Sequence, residues 1–162
     1  MAAEVYADHW GAKPGFSVCT LRVASVYGPG MRDAGLVPIL TGKLMTGQPV
    51  SLSGGGLYGS DLVFADDVVA AAIAAMTGDA GGAINIGSGL RTTALQLAAE
   101  LVDLLHADPE LVQVAPAGEA PDRGFSALDV TRAHQVLDYQ PTPLRQGLQQ
   151  YIEYLALRRA AE

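Results

Sequence analysis

Two glycine-rich turns are the first segments of this sequence whose residue types could do chemistry. The stretch SGGGLYGSD, residues 53–61, has the G-x-G-x-x-G spacing that can hold a dinucleotide pyrophosphate on a helix N-terminus. That use requires a helix directly after the loop. Here Gly59 is followed by the extended pattern DLVF, and Asp79, at the spacing of a ribose-binding acid, precedes a strand pattern. We therefore predict that this loop does not bind a cofactor.

The second glycine turn, NIGSGLRTT, lies between a strand pattern and a helix pattern. Thr92 occupies the position of the third glycine, and no acidic residue follows at the spacing that a ribose requires. Thr93 and Gln96 instead have the T-x-x-Q form of a capping box. The segment is predicted to be an ordinary strand-to-helix turn.

The histidines and acidic pairs indicate no metal centre. His9, His106 and His134 are scattered without the spacing of metal ligands. The adjacent Asp66 and Asp67 point in different directions at the start of a helix pattern, so one of them is predicted to be its N-cap rather than half of a catalytic pair.

Composition excludes several classes of protein. The chain has 162 residues, of which 49% are hydrophobic and 17% are charged, as in one ordinary globular unit. Its net charge of −7 disfavours nucleic acid and anionic membranes as partners. The single cysteine, Cys19, cannot form an internal disulfide, which favours a cytoplasmic location. Arg22, on an apolar strand pattern, is predicted to pair with a carboxylate such as Asp61.

The elements that position these residues alternate between helical and extended patterns, which predicts an α/β fold with a mixed sheet. The last helix is predicted to begin with Thr142 as N-cap and Pro143 as its first residue. The other predicted helices are AAEVYADHW, GLVPILTGKLMTGQ, ADDVVAAAIAAM, ALQLAAELVDLLH and DVTRAHQVL, and the predicted strands are FSVCTLRVASV, PVSLS, DLVF, GGAINIG and VQVAP.

Five segments in the same order resemble motifs of the NAD-dependent epimerase/dehydratase family, the extended short-chain dehydrogenases. LRVASVYGPG resembles its R-x-x-N-x-Y-G-P segment, and SGGGLYGSDLVFADDVV resembles its G-x-G-x-x-x-R-D-F-x-x-V-x-D segment. AINIGSG, PDRGFSALDVTRAHQVLDYQP and LRQGLQQYIEYL resemble its later strand, its R-P-x-D region and its closing helix. The similarity extends over essentially the whole chain.

The resemblance implies that the chain is the C-terminal part of this fold. Residues 1–30 would be the tail of the catalytic helix and one strand of the dinucleotide-binding domain, and residues 31–162 the substrate-binding domain. The family's cofactor fingerprint and catalytic Tyr-x-x-x-Lys precede the matched region, and MAAE is expected to follow that lysine directly, with Glu4 as the family's glutamate. No tyrosine here is followed four residues later by lysine, so no catalytic residue is predicted in the chain.

The resemblance also implies binding residues. The nicotinamide end of the cofactor would meet Ala24, Ser25 and Val26. The residues implied for substrate binding are Ser25, Leu36, Val37, Ser51, Ser53, Ser60 and Arg123.

Several of these positions depart from the family's pattern for a nucleotide sugar. Ser60 stands for the loop arginine, Ser25 for the asparagine, Ser53 for the aromatic residue beside the base, and Glu119 for the arginine of R-P-x-D. A charge-assisted hydrogen bond contributes about 1.5–3 kcal/mol, so losing two lowers affinity by about a hundredfold or more. A UDP- or dTDP-sugar is therefore disfavoured against a smaller sugar acid, a polyol or another hydroxylated substrate. Arg91 and Arg123 could compensate, but the sequence favours an exposed surface position for each.

Two functions remain open. The chain is either the substrate-binding C-terminal portion of an NAD(P)-dependent sugar or sugar-like epimerase, dehydratase or dehydrogenase, or a truncated, non-catalytic relative that binds a small molecule or a protein. NAD or NADP is expected in the complete enzyme and neither for this chain alone. Because FSVCTLRVASV is apolar on both faces, we expect it to be covered. The cover would be a second copy, a separate N-terminal half, or the N-terminal half of one longer enzyme, and we favour the last.

Overall fold

A computed structural model describes residues 2–118 and 123–161 of the chain, in which strands and helices alternate. The helices are α1 (Ala2–Gly11), α2 (Leu36–Leu44), α3 (Ala65–Thr77), α4 (Ala94–Leu105), α5 (Thr131–Leu137) and α6 (Leu144–Ala160). The strands are β1 (Cys19–Val23), β2 (Ser25–Tyr27), β3 (Val50–Leu52), β4 (Gly59–Phe64), β5 (Gly82–Ile86), β6 (Arg91–Thr93) and β7 (Val112–Val114). The predicted α/β class is confirmed.

The strands form small sheets rather than one continuous sheet. β1 pairs with β5 and β3 pairs with β7, both in parallel. β4 lies between β2, which is parallel to it, and β6, which is antiparallel. Mixed pairing is therefore confirmed, but within the described residues it is confined to the three-stranded sheet around β4.

The predicted strand FSVCTLRVASV is broken into β1 and β2. The backbone N–H of Ala24 still donates to the carbonyl of Ile86 at 2.8 Å, next to β5, whereas Ser25 already pairs with Leu62 of β4. The chain thus changes sheets at Ala24. This crossing places Ala24 and Ser25 at the carboxyl end of β1.

Two clusters of buried side chains form the core. The larger one contains Tyr27, Leu97 and Leu148 and packs α2, α4 and α6 around β2, β3 and β4. The smaller one joins the β1–β5 pair to α3 and α5, and includes Ile84 and Ile86, both with 0% exposure. The boundary at residue 30 stays a prediction, although residues well beyond it pack with β1.

The ends of the helices depend on contacts across the chain. The capping box is confirmed, because Thr93 accepts from the N–H of Gln96 at 3.1 Å and its own N–H donates to the Gln96 side chain at 2.8 Å. The predicted aspartate cap of α3 is wrong. Phe64 is the N-cap, and Asp67 is the third residue of the helix, in its first turn, with 8% of its surface exposed.

Thr142 supplies the hydrogen-bond donors to the buried carboxylate of Asp67. The N–H and the hydroxyl of Thr142 donate to Asp67 Oδ2 and Oδ1 at 2.8 and 2.7 Å. The prediction that Thr142 caps α6 is therefore wrong, since Pro143 is the cap residue and Leu144 the first helical residue. Asp67 thus links the start of α3 to the residues just before α6.

Among the described residues, no helix is both long and apolar enough to cross a bilayer.

Candidate functional site

A cavity of about 390 Å³ opens at the carboxyl ends of the parallel strands β1 and β5. In open α/β sheets this is the edge where ligands bind, because neighbouring connections diverge there and leave a crevice. The cavity is lined by Arg22, Val23, Ala24, Ser25, Ser60, Asp61, Asn85, Phe125, Ser126 and Leu128.

The cavity brings together three of the residues predicted from the sequence. Ala24 and Ser25 follow β1, and Ser60 reaches the cavity from β4 with 7% of its surface exposed. Ser126 adds a third hydroxyl from the segment before α5. Each hydroxyl can donate one hydrogen bond and accept two, so this wall suits a hydroxylated ligand.

The remaining predicted site residues do not line this cavity. Ser51, Ser53 and Arg123 are exposed elsewhere on the surface, as is Val26. Val37 has 3% exposure inside the larger core cluster, which leaves little surface for a ligand, and Leu36 packs against the same cluster. The binding roles of these residues stay predictions, and Glu119 lies outside the described residues.

Asp61 is a buried carboxylate with 3% exposure at the rear of the cavity. Its Oδ1 accepts from both the N–H and the hydroxyl of Ser88 at 2.7 Å, and its Oδ2 accepts from the N–H of Gly89 at 3.1 Å and of Leu128 at 3.0 Å. The second glycine turn therefore does bind an anion, but the anion is this internal side chain. A Cβ on Gly87 would lie 2.5 Å from Asp61 Oδ2, so this position requires glycine.

Arg22 pairs with a carboxylate, as predicted, but the partner is Glu4 rather than the suggested Asp61. Its Nε and Nη2 donate to the two carboxylate oxygens of Glu4 at 2.6 and 3.2 Å, which joins α1 to β1. The hydrogen bond from Arg22 holds the pKa of Glu4 below its ordinary value of 4.5. The same contact raises the pKa of Arg22 above its ordinary value.

The first glycine loop uses its amides within the protein. All three glycines from 54 to 56 have positive φ, and β4 rather than a helix begins at Gly59, as predicted. Four amides donate to backbone carbonyls: Gly55 to Ala115 at 2.9 Å, Gly56 to Ser53 at 3.0 Å, Leu57 to Gly54 at 3.3 Å and Gly59 to Arg123 at 3.1 Å. With these donors occupied, the loop is not a phosphate cradle.

Arg91 holds in place the segment around Phe125, which packs against this loop. Its Nε donates to the carbonyl of Phe125 at 3.1 Å, and its Nη2 donates to the carbonyls of Leu57, at 2.7 Å, and Arg123. The N–H of Phe125 donates in turn to the carbonyl of Gly59 at 2.8 Å. The half-buried Arg91 is thus a structural clamp and not the surface arginine that the sequence favoured.

The sequence did not single out Asn85, Phe125, Ser126 or Leu128 as cavity residues. Three of them lie on an extended segment that is not a regular strand and carries no alternating pattern. Gly124 is the residue in the sequence that could have indicated a close approach of this segment to β4. In the structure it has a positive φ of 71° and forms a bridge with Gly59 at the start of β4. Within residues 2–118 and 123–161, no group of three or more His, Cys, Asp or Glu side chains could hold a metal ion.

Comparisons with known proteins agree with the fold. A family model described as "NAD dependent epimerase/dehydratase family" matches residues 1–87. The UDP-glucose 4-epimerase of Mycolicibacterium smegmatis is 32% identical over 95% of this chain and 50% of its own length. The dTDP-glucose 4,6-dehydratase of Streptomyces niveus is 29% identical over 98% of this chain and 48% of its own length.

Solved structures give the same result. The UDP-glucose 4-epimerase of Thermotoga maritima, solved with UDP-glucose, superposes with a TM-score of 0.82 at 34% identity, over 99% of this chain and 52% of its own. MoeE5 in complex with UDP-glucose and NAD gives 0.80 at 30% identity, over 99% of this chain and 54% of its own. The chain spans about half the length of the relatives that it matches.

Proposed function

The chain belongs to the NAD-dependent epimerase/dehydratase family, and from this we propose that it is the substrate-binding C-terminal portion of an NAD(P)-dependent enzyme. The substrate would be a sugar or a sugar-like molecule, and the reaction an epimerisation, a dehydration or a dehydrogenation. Similar proteins include sugar-nucleotide epimerases and dehydratases, and the chain matches about half of each.

The cavity at the carboxyl ends of β1 and β5 is the observation that carries this proposal. Ala24 and Ser25 enter it where β1 ends, and Ser60 enters from the neighbouring sheet. A ligand there would lie between the β1–β5 pair and the three-stranded sheet around β4. We propose that Ala24, Ser25 and Val26 meet the nicotinamide end of the cofactor, while the hydroxyls of Ser25 and Ser60 orient the substrate.

The bound nicotinamide would supply hydride transfer to or from a substrate carbon. Within this chain, the serine hydroxyls would hold the substrate and Asp61 would fix the two turns that form the rear wall. We propose that the catalytic base and the pyrophosphate-binding turn belong to the N-terminal half.

The edge of β1 that is unpaired in the described part of the chain supports the proposal that an N-terminal half is required. β1 pairs with β5 on one edge and has no second partner among the described residues. Phe16, Val23 and Val26 around it are 55, 40 and 45% exposed. Complete burial of such a side chain contributes about 1.5–3 kcal/mol, and because roughly half of each is already buried, covering all three would contribute roughly 2–4.5 kcal/mol. We propose that the N-terminal half covers this surface.

Recombination of the two halves tests the proposal. The chain is mixed with an N-terminal fragment carrying the fingerprint and Tyr-x-x-x-Lys, such as that of the Thermotoga maritima epimerase, and NAD is titrated by calorimetry. We expect NAD binding by the mixture and no micromolar binding by the chain alone. Val23→Lys, at the open edge, should prevent assembly, whereas Leu157→Lys on α6, where Leu157 is 73% exposed, should not.

Two results would contradict the proposal. One is tight 1:1 binding of NAD to the chain alone. The other is a monomeric chain that unfolds cooperatively and neither associates with the fragment nor gains NAD affinity from it, as judged by sedimentation and thermal melting.

A further inference from the structure

Building on the proposed function, we infer that the cavity binds a neutral, polyhydroxylated ring packed against Phe125, and not a nucleoside diphosphate sugar or a sugar acid. Three features of the described residues support this inference: the charges at the cavity, the exposed ring of Phe125 and the hydroxyl-rich wall.

The charges at the cavity disfavour an anion. Among its described lining residues Arg22 is the only cation, and Glu4 pairs with it through both carboxylate oxygens. The other charged lining residue, Asp61, accepts hydrogen bonds only from uncharged donors in those contacts, so its negative charge is not cancelled by a cation. A phosphate or carboxylate placed there would meet like charge, and no unpaired guanidinium among the described lining residues would offset it.

Arg91 does not supply the cavity with a cation for a ligand. It lies near the cavity wall and already donates to three backbone carbonyls. The exposed Arg123 is also near, two residues before Phe125, but it does not line the cavity. Turning it toward a ligand would leave those carbonyls without this donor and release the segment that carries Phe125.

Phe125 is an exposed aromatic side chain on a segment that is held in place. It is 66% exposed and lines the cavity, and its ring meets that of Tyr58 edge to face, at 6.4 Å between centroids and 84° between planes. Its N–H and carbonyl are both bonded, to Gly59 and Arg91. An aromatic face carries partial negative charge, which attracts the polarised C–H groups on one side of a sugar ring.

The polar wall completes the match to a neutral ring. Ser25, Ser60 and Ser126 present hydroxyls, which donate and accept as the hydroxyls of a sugar do. Asn85 is fixed beside them, because its Nδ2 donates to the carbonyl of Asp129 at 2.9 Å. The cavity thus offers both hydroxyls and an aromatic ring, which together suit a polyhydroxylated ring.

Saturation-transfer NMR on the full chain tests the inference, with methyl β-glucoside, methyl β-galactoside, myo-inositol and UDP-glucose as probes. We expect transfer to the ring protons of at least one neutral probe, and UDP-glucose binding no more tightly than that probe. Phe125→Ala should weaken the neutral probe by roughly threefold to tenfold. Phe16→Ala is the matched control, because Phe16 is an aromatic side chain with 55% exposure that does not line the cavity.

Three results would contradict the inference that a neutral ring binds against Phe125. No transfer to any neutral probe, or equal binding by Phe125→Ala and Phe16→Ala, would overturn the inference. So would UDP-glucose binding at least tenfold more tightly and losing that gain in Arg123→Gln, which would assign the anion to the exposed Arg123. Phe125→Leu keeps the apolar volume and should behave like Phe125→Ala if the ring face matters. The proposed function is tested separately, because NAD binding by the recombined halves does not depend on Phe125.

Discussion

Replacing Asp61 by asparagine should destabilise the fold strongly, although the two side chains have almost the same shape. In the wild type, Oδ1 accepts both bonds from Ser88 and Oδ2 accepts the N–H groups of Gly89 and Leu128. Asparagine can keep one oxygen toward Ser88, but its NH₂ group would then face two N–H donors. Because Asp61 is only 3% exposed and both donors point at it, water could replace these lost bonds only in part.

The expected loss of stability follows from the two N–H groups of Gly89 and Leu128. A buried donor left without a partner costs about 1–3 kcal/mol, so Asp61→Asn should lower the free energy of unfolding by roughly 2–6 kcal/mol. Ser88→Ala leaves all the backbone donors to Asp61 in place. It removes the hydroxyl bond to Asp61, which should cost about 0.5–1.5 kcal/mol, and the two 3.2 Å contacts of the hydroxyl with Leu90. Urea denaturation measures both, and hydrogen exchange at the amides of Gly89 and Leu128 reports the loss locally.

Asp66→Asn is the matched control. Asp66 lies in the first turn of α3 and is exposed, so its replacement should cost less than about 1 kcal/mol, the usual contribution of an acid near a helix N-terminus. If Asp61→Asn changed stability no more than Asp66→Asn does, and left amide exchange at Gly89 and Leu128 unchanged, the anchoring role of Asp61 would be refuted.

Three further changes should have measurable effects. Gly59→Ala places a Cβ 2.8 Å from a carbonyl of β6, so it should cost about 1–3 kcal/mol in urea denaturation; an unchanged midpoint would show that the loop relaxes freely. The pKa of Glu4 is lowered by Arg22, so the contribution of this ion pair to the attachment of α1 should be present in full above pH 4.5 and be lost as the pH falls further. Fluorescence of the single tryptophan, which lies on α1, should follow that loss in the wild type and not in Glu4→Gln. Tyr139→Phe removes a buried 2.9 Å hydrogen bond to the carbonyl of Gly87 and should cost about 1–3 kcal/mol, which thermal melting would detect.

The sequence predicts the elements of this fold well because the signals for them are local. Apolar periodicity locates the helices. The capping box, formed by Thr93 and Gln96 only three residues apart, marks the start of α4. The partners of buried acids are not local. Thr142 lies 75 residues after Asp67, and Leu128 lies 67 residues after Asp61, so nothing near either aspartate in the sequence distinguishes a helix cap from a long-range anchor.

The candidate site was predictable only in part for a similar reason. The run FSVCTLRVASV shows an unbroken apolar pattern, and such a pattern cannot show that its strand partners change at Ala24. That change of sheet opens the cavity. Its far wall comes from residues 125–128, which are held there by Arg91 and by a glycine–glycine contact rather than by strand periodicity.

The two glycine turns show what the G-x-G spacing can and cannot indicate. Both turns offer clusters of backbone N–H donors, and in both the donors are used internally, by carbonyls around residues 54–59 and by the Asp61 carboxylate at residues 87–89. Glycine is needed in each case for close approach, since a Cβ at Gly87 would meet Asp61 and one at Gly59 would meet Arg91. Close packing of chain against chain therefore selects the same residues as close approach to a phosphate. The two uses differ in the element that comes directly after the turn, because a helix leaves its first N–H groups unpaired for a ligand, whereas a strand such as β4 pairs them with its neighbours.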